Sequence, residues 1–188
     1  MRTILSIIVV AAALLGSWFA VTSASAQNKD AASFDRHLRA LAEKGHADSQ
    51  YKLGVAYDEG LGVSKDYTEA FKWFRLAAEQ GHAHSQFRVG DMYTSGNGIA
   101  KSDAEAVKWF RKAAEQGLAN AQGILGIMYA KGQGMPQNYV LAFMWLHLAT
   151  EGRQGAAQFR DAVGERMTAA QIAEAQKLAR EWKAMRGR

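Results

Sequence analysis

Three histidines stand where a metal site would be sought. His46 and His82 lie 36 residues apart, each directly after a glycine, and Asp48 and His84 follow two residues behind each of them. Imidazole nitrogen and carboxylate oxygen are zinc ligands, but a catalytic site needs three protein ligands and a structural one four. Leu118 takes the third place of the series and no acidic cluster completes the set. These histidines are therefore read as helix starts that follow a terminating glycine, with no metal or other cofactor expected. His37 falls in an N-terminal helix, and His147, beside Trp145 and Leu148, reads as a partly exposed helix residue.

Carboxylates give the second chemical candidate. Glu79, Glu115 and Glu151 recur at the same interval of 36. A catalytic acid–base pair works because its two environments differ, so identical recurrence argues for a structural role. The chain has no cysteine, hence neither a thiol nucleophile nor a disulfide. No nucleophile elbow or phosphate-binding loop occurs, and Gly60-x-Gly62 is too short for a dinucleotide fingerprint. No enzymatic activity is expected.

The interval itself is the stronger signal. Gly54, Gly90 and Gly126 form one column, Tyr57, Tyr93 and Tyr129 a second, and Trp73, Trp109 and Trp145 a third, all without a gap. A fixed period of this length means stacked two-helix units. The sequence predicts an all-α fold, a right-handed α/α superhelix of helix-turn-helix repeats at 46–81, 82–117 and 118–153.

Within the first unit, Gln50, Leu53, Gly54 and Tyr57 mark one face of helix A. Gly60 stops that helix in the left-handed conformation. Asp66 opens helix B, and Glu69, three residues on, reads as a capping box; Ser102 with Glu105 repeats it, and Asn138 keeps only the cap. Ala70, Trp73, Phe74 and Ala77 form the buried stripe of helix B. The small residues Gly54 and Ala77 are expected to let the two backbones approach, with Tyr57 and Trp73 filling the flanks. Helix A is predicted over 47–59, 83–95 and 119–131, and helix B over 67–80, 103–116 and 139–151. Trp109, with repeats on both sides, is expected at the centre of the core.

Both ends read as caps, which a solenoid requires. Leu38, Leu41 and Ala42 match the second half of a repeat, placing a lone helix over Ala32–Lys44 in a cap spanning 32–45. After the third repeat, 154–188 holds capping helices: a fourth helix A begins at Ala157-Gln158, and Thr168 with Gln171 forms a capping box before a last helix. That helix carries Ile172, Ala175, Leu178, Ala179 and Trp182 on one side, with Trp182 expected to seal the last repeat. Its basic residues Lys177, Arg180, Lys183 and Arg186 lie elsewhere.

Arg2, the apolar run Ile4–Ala20 and Ala24-Ser25-Ala26 before Gln27 read as a secretory signal peptide over 1–26. Its removal leaves 27–188 as a single repeat domain, periplasmic or secreted; retention as an anchor is the alternative. The net charge of +5 is modest. It reads mostly as solvated surface, with anionic envelope polymer as a minor option and no nucleic acid partner.

These residues resemble the Sel-one-like repeat family, relatives of the tetratricopeptide repeats. The pattern carrying the likeness is "A-x-x-Q-x-x-L-G-x-x-Y-x-x-G-x-G-V", then a polar cap, then "A-x-x-W-x-x-x-A-A-E-x-G". Departures are Val89, Ile99, Met135, Thr150 and Gly123 within a helix. The resemblance implies an adaptor that binds protein. A cysteine-rich branch of the family is associated with penicillin binding and β-lactamase activity, and the lack of cysteine speaks against that reading.

Counted from the helix glycine as in tetratricopeptide-like units, the concave binding face would comprise Asp48, Tyr51, Val55, Asp58 and Glu59 in the first repeat. The second contributes His84, Phe87, Asp91 and Thr94, and the third Asn120, Ile127 and Lys131. Tyr51, Val55, Phe87 and Ile127 are read as apolar residues that the repeat's own core does not need, rimmed by acids; the alternative is that Tyr51 and Phe87 pack between adjacent A helices. The expected occupant is a protein or peptide segment with apolar anchors and some basic residues, bound by a monomer. The runners-up are a surface component that binds envelope polymer through the basic last helix, and a hydrolase of the cysteine-rich kind.

Overall fold

Glycine and capping residues cut the chain into helices at nearly the positions the period dictates. The computed structural model describes residues 36–150 and 155–187, and among them no strand occurs. The expectations for the signal segment, for the helix start at Ala32 and for Glu151 lie outside the described residues. α1 covers 36–43. The repeats follow as α2 (Ala47–Glu59) with α3 (Tyr67–Glu79), α4 (Ala83–Ser95) with α5 (Asp103–Glu115), and α6 (Ala119–Lys131) with α7 (Tyr139–Ala149). α8 (Ala156–Gly164) and α9 (Ala169–Arg186) close the stack. The A helices have the predicted bounds, and the B helices end one or two residues early.

Packing runs in chain order from α2 to α7, and α7 then carries both α8 and α9. The result is an α/α solenoid. No helix among the described residues is long and apolar enough to cross a membrane.

Each helix A ends on a left-handed glycine; Gly60, at φ 77°, sends its N–H to the Ala56 carbonyl. The helix B starts are capped by Asp66, Ser102 and Asn138, which accept backbone N–H groups one turn on. Only half of the predicted box forms there. Glu69 and Glu105 turn instead to Lys72 and Lys108, one turn further along, at 2.5 Å in each case. The complete box is at Thr168, where Gln171 returns to the cap backbone.

The close approach predicted at Gly54 is present and Ala77 is fully buried, but the aromatic set against the glycine is not the tryptophan. Phe74 and Phe110, not Ala77 or the tryptophans, lie over the helix A glycines, and both phenylalanines are at most 1% exposed. A Cβ built on Gly54 would stand 2.6 Å from the Phe74 ring, and one on Gly90 would stand 2.8 Å from the Phe110 ring. Trp73 and Trp109, one residue earlier, are turned about 100° away by the helical period and are half-buried. The expectation of Trp109 at the core centre is corrected: the residue there is Phe110. Trp109 packs against the cluster that joins Phe71 and Phe74 of the preceding repeat to Val89 of its own, with Lys112 Nζ, one turn along α5, 4.2 Å from its ring centroid. Trp145 alone of the three is buried, because Trp182 of α9 covers it edge-on at 5.8 Å, as the sequence predicts.

Neighbouring repeats are joined by buried glutamines. Gln50, Gln86 and Gln122 donate to the carbonyls of Ala42, Ala78 and Ala114 on the previous B-type helix, at 3.1, 3.1 and 3.2 Å. Gln80 and Gln116 in turn donate to the side-chain oxygens of Gln50 and Gln86. A buried amide is tolerated only when its hydrogen bonds are made, so this relay fixes the register of one unit on the next. Gly98 and Gly134 add a backbone contact: a Cβ there would fall 2.3 and 2.4 Å from the carbonyl oxygens of Tyr67 and Asp103.

Candidate functional site

The first helices α2, α4 and α6 carry the predicted binding residues, with exposed and half-buried positions alternating around each helix. Asp48, Glu59, His84, Asp91, Asn120 and Lys131 are exposed. Tyr51, Val55, Asp58, Phe87, Thr94 and Ile127 are half-buried. The apolar four are not spare, which corrects the expectation that the core does not need them. Tyr51 lies 5.8 Å from Phe74 and Phe87 lies 5.5 Å from Phe110, centroid to centroid. Val55 and Ile127 pack against the buried clusters of their own ends of the stack. The cause is the glycine one turn later: it draws the phenyl ring of helix B inward, and the residue three positions before the glycine then meets that ring.

Asp58 is also engaged. It pairs with Arg88 of α4, an ion pair of two partly covered side chains that ties the first helix of one repeat to the first helix of the next. Thr94 turns its hydroxyl to the Asp91 carbonyl at 2.7 Å. The acidic character of this face therefore rests on Asp48, Glu59 and Asp91.

Near the first repeat boundary, aromatic rings gather beside a carboxylate. Tyr51 is 4.9 Å from His82 and 6.1 Å from His84, and the two imidazoles are 6.0 Å apart. His82 Nε2 points to Asp48 Oδ1 at 3.4 Å, while Nδ1 accepts the Ser85 N–H and so caps α4. Burial pushes the His82 pKa below the ordinary imidazole value, opposed by Asp48 and assisted by His84. His46 occupies the equivalent N-cap without a side-chain cap bond. Among the described residues no group of three or more histidines, cysteines and carboxylates could hold a metal ion. Of the recurring glutamates, Glu79 accepts from Arg75 on its own helix at 2.8 Å.

The third repeat holds a feature that sequence reasoning missed. A cavity of about 320 Å³ opens between α6, α7 and α8, lined by Gly123, Ile124, Ile127, Leu146, Gly155, Ala156 and Phe159. Only Ile127 among these was a predicted site residue. The available signal was Gly123, which breaks the column that Tyr51 and Phe87 occupy.

Three units match the Sel1 repeat model, at residues 47–82, 83–118 and 119–152. The chain belongs to the Sel1 repeat family. Its fold is similar to that of a Sel1 repeat protein from Oxalobacter formigenes, at 40% identity and a TM-score of 0.64, covering 66% of this chain and 52% of the other. It is also similar to c5321, a protective antigen of uropathogenic Escherichia coli strains with the same repeat fold, at 30% identity and a TM-score of 0.61, over 77% of this chain and 39% of that one. The cysteine-rich protein B of Helicobacter pylori shares the fold at 19% identity and a TM-score of 0.55, over 70% of this chain and 95% of its own length. This chain thus spans about half the length of the Oxalobacter protein and less of the Escherichia one. No curated protein matches it. Sel1 repeat proteins are typically protein-interaction modules and generally non-catalytic scaffolds.

Proposed function

We propose that this chain is a non-enzymatic interaction module of the bacterial periplasm or cell envelope, which holds a protein or peptide segment along the face formed by α2, α4 and α6. The observation that carries this reading is the row of half-buried Tyr51, Val55, Phe87 and Ile127 flanked by exposed Asp48, Glu59 and Asp91. Half-buried apolar groups still offer area for desolvation, and a charged rim gives orientation. The acids select a segment that carries basic residues beside its apolar anchors. Export is supported by the Ala24-Ser25-Ala26 pattern, and an exposed location by the likeness to a protective antigen. The domain is taken as 27–188 after removal of the first 26 residues.

Binding of anionic polymer through the last helix gains less support. Arg186 donates to the Gln116 carbonyl at 2.6 Å, and Lys177 faces Glu181 at 3.8 Å, so part of that basic surface is committed to the stack.

Photo-crosslinking residues placed at Asp91 and Asn120, on the first helices, test the proposal against the same probes at Lys72 and Lys108 on the second helices. All four positions are exposed, so the fold tolerates each. In envelope extracts one discrete partner should be trapped from Asp91 and Asn120 alone. Trapping from Lys72 and Lys108 instead would move the site to the opposite face.

A further inference from the structure

The cavity of the third repeat is the imprint of a missing ring. In the first two repeats an aromatic side chain at one position of helix A lies against the phenylalanine of helix B: Tyr51 on Phe74, Phe87 on Phe110. In the third repeat both partners shrink. Gly123 stands where Tyr51 and Phe87 stand, and Leu146 where Phe74 and Phe110 stand. Among the described residues, a Cβ on Gly123 would meet only the Ala149 methyl, at 3.8 Å, an ordinary van der Waals contact. The helix glycine Gly126 shows the contrast, with Leu146 Cγ at 2.7 Å from its virtual Cβ.

What remains is an apolar hole of about 320 Å³, walled by Ile124, Ile127 and Leu146 below and by Phe159 of α8 at the side. Phe159 is 52% exposed, so its ring is open to solvent at the edge of the hole. An apolar cavity of about 150 Å³ lined by leucine, isoleucine and phenylalanine stays dry and takes up benzene. The hole in this protein has room for one aromatic side chain.

We infer that this cavity is a socket for an aromatic side chain presented by the bound partner, which supplies in trans the ring that Tyr51 and Phe87 supply in cis. The inference rests on the interaction-module reading and deepens it: it names the anchor and its place. The socket adjoins Ile127 at the end of the α2–α4–α6 face, so a segment lying along that face ends with its aromatic residue at the third repeat. The incoming ring meets the Phe159 ring and the branched side chains of Ile124 and Ile127, an arrangement that favours planar aromatic groups over aliphatic ones through offset or edge contacts.

The test uses N-acetyl-phenylalaninamide as the probe and N-acetyl-alaninamide as the control, added to the full chain with its isoleucine and leucine methyl groups labelled for NMR. The phenylalanine amide should shift the methyl signals of Ile124, Ile127 and Leu146 saturably, and the alanine amide should leave them in place. Gly123→Phe fills the socket from within and should weaken the response by at least about tenfold. Phe159→Ser removes an exposed wall, leaves the buried core untouched, and should weaken it by a smaller factor; it decides the matter where Gly123→Phe perturbs the fold. Equal responses to both amides, or responses unchanged in Phe159→Ser, overturn the inference. Shifts of the same methyls with protein concentration alone assign the socket to a second copy of this chain and overturn it as well. Failure here with crosslinking from Asp91 intact rejects the socket alone, whereas loss of that crosslinking rejects the binding face.

Discussion

Gly90 and Phe110 interlock so closely that a single methyl group cannot be placed between them: a Cβ on Gly90 would stand 2.8 Å from two ring carbons of Phe110. Glycine in a helix costs about 1 kcal/mol relative to alanine, and here that cost is offset by full burial of a phenyl ring, worth roughly 1.5–3 kcal/mol. The ring is held between two helices and cannot swing aside without opening the stack.

Gly90→Ala should therefore destabilise the protein by about 1–2 kcal/mol, the overpacking penalty exceeding the gain in helix propensity. Gly123→Ala should do the reverse and stabilise it by about 0.5–1 kcal/mol, because its Cβ makes an ordinary contact with Ala149. Urea unfolding of both variants measures the opposite signs.

Much of this was legible in the sequence because periodicity reports on each column separately. The glycine, glutamine and capping columns placed the helix bounds, and the capping box at Thr168 and Gln171 marked the start of α9. Periodicity does not say which of two adjacent aromatics in a Trp-Phe pair faces the glycine, since both recur with the same interval. Which of Trp109 and Phe110, about 100° apart on the helix, faces Gly90 is decided by how deeply each ring fits against it, a three-dimensional quantity. For the same reason Tyr51 and Phe87 looked free: both meet the phenylalanine of helix B, and Tyr51 also meets His82 and His84 at the start of the next helix A. The cavity in the third repeat depends on two substitutions in different helices, Gly123 and Leu146, and their joint effect is visible only once the two positions are seen facing each other.

Phe110→Ala should cost about 3–5 kcal/mol, the range for a phenylalanine removed from a packed core, enough to threaten the fold of a marginally stable domain. Trp109→Ala should cost clearly less, because its ring is half-buried and in part covered by Lys112. Thermal unfolding followed by circular dichroism separates the two; a larger loss for Trp109→Ala would reverse the assignment of the core column.

Gln86 holds two repeats by two bonds, donating to the Ala78 carbonyl at 3.1 Å and accepting from Gln116 at 2.8 Å. Gln86→Leu fills a similar volume and removes both bonds, while the Ala78 carbonyl keeps the Gly81 N–H and Gln116 keeps the Gly81 carbonyl. The lost bonds cost about 1 kcal/mol each at most, since no group is left without a partner. A loss of about 1 kcal/mol is expected, with faster hydrogen exchange at the α3–α4 junction as the local readout.

His82 ties stability to pH through its role as a helix cap. Its Nδ1 accepts the Ser85 N–H, a bond that only the neutral ring makes. Burial lowers the folded-state pKa below the ordinary value of about 6.5, with Asp48 opposing and His84 assisting. A histidine whose folded pKa is depressed contributes stability that is fully present above its unfolded value and is lost as the pH falls through its folded value. As the pH falls below the ordinary value, the unfolded chain takes up a proton that the folded ring resists, and the boundary between the first two repeats loses stability; the α4 cap is lost once the folded ring itself is protonated. Serine at this position keeps a cap acceptor and does not titrate. The melting temperature of the native protein should fall more between pH 7 and pH 5 than that of His82→Ser, and parallel curves for the two proteins would show that His82 carries no such linkage.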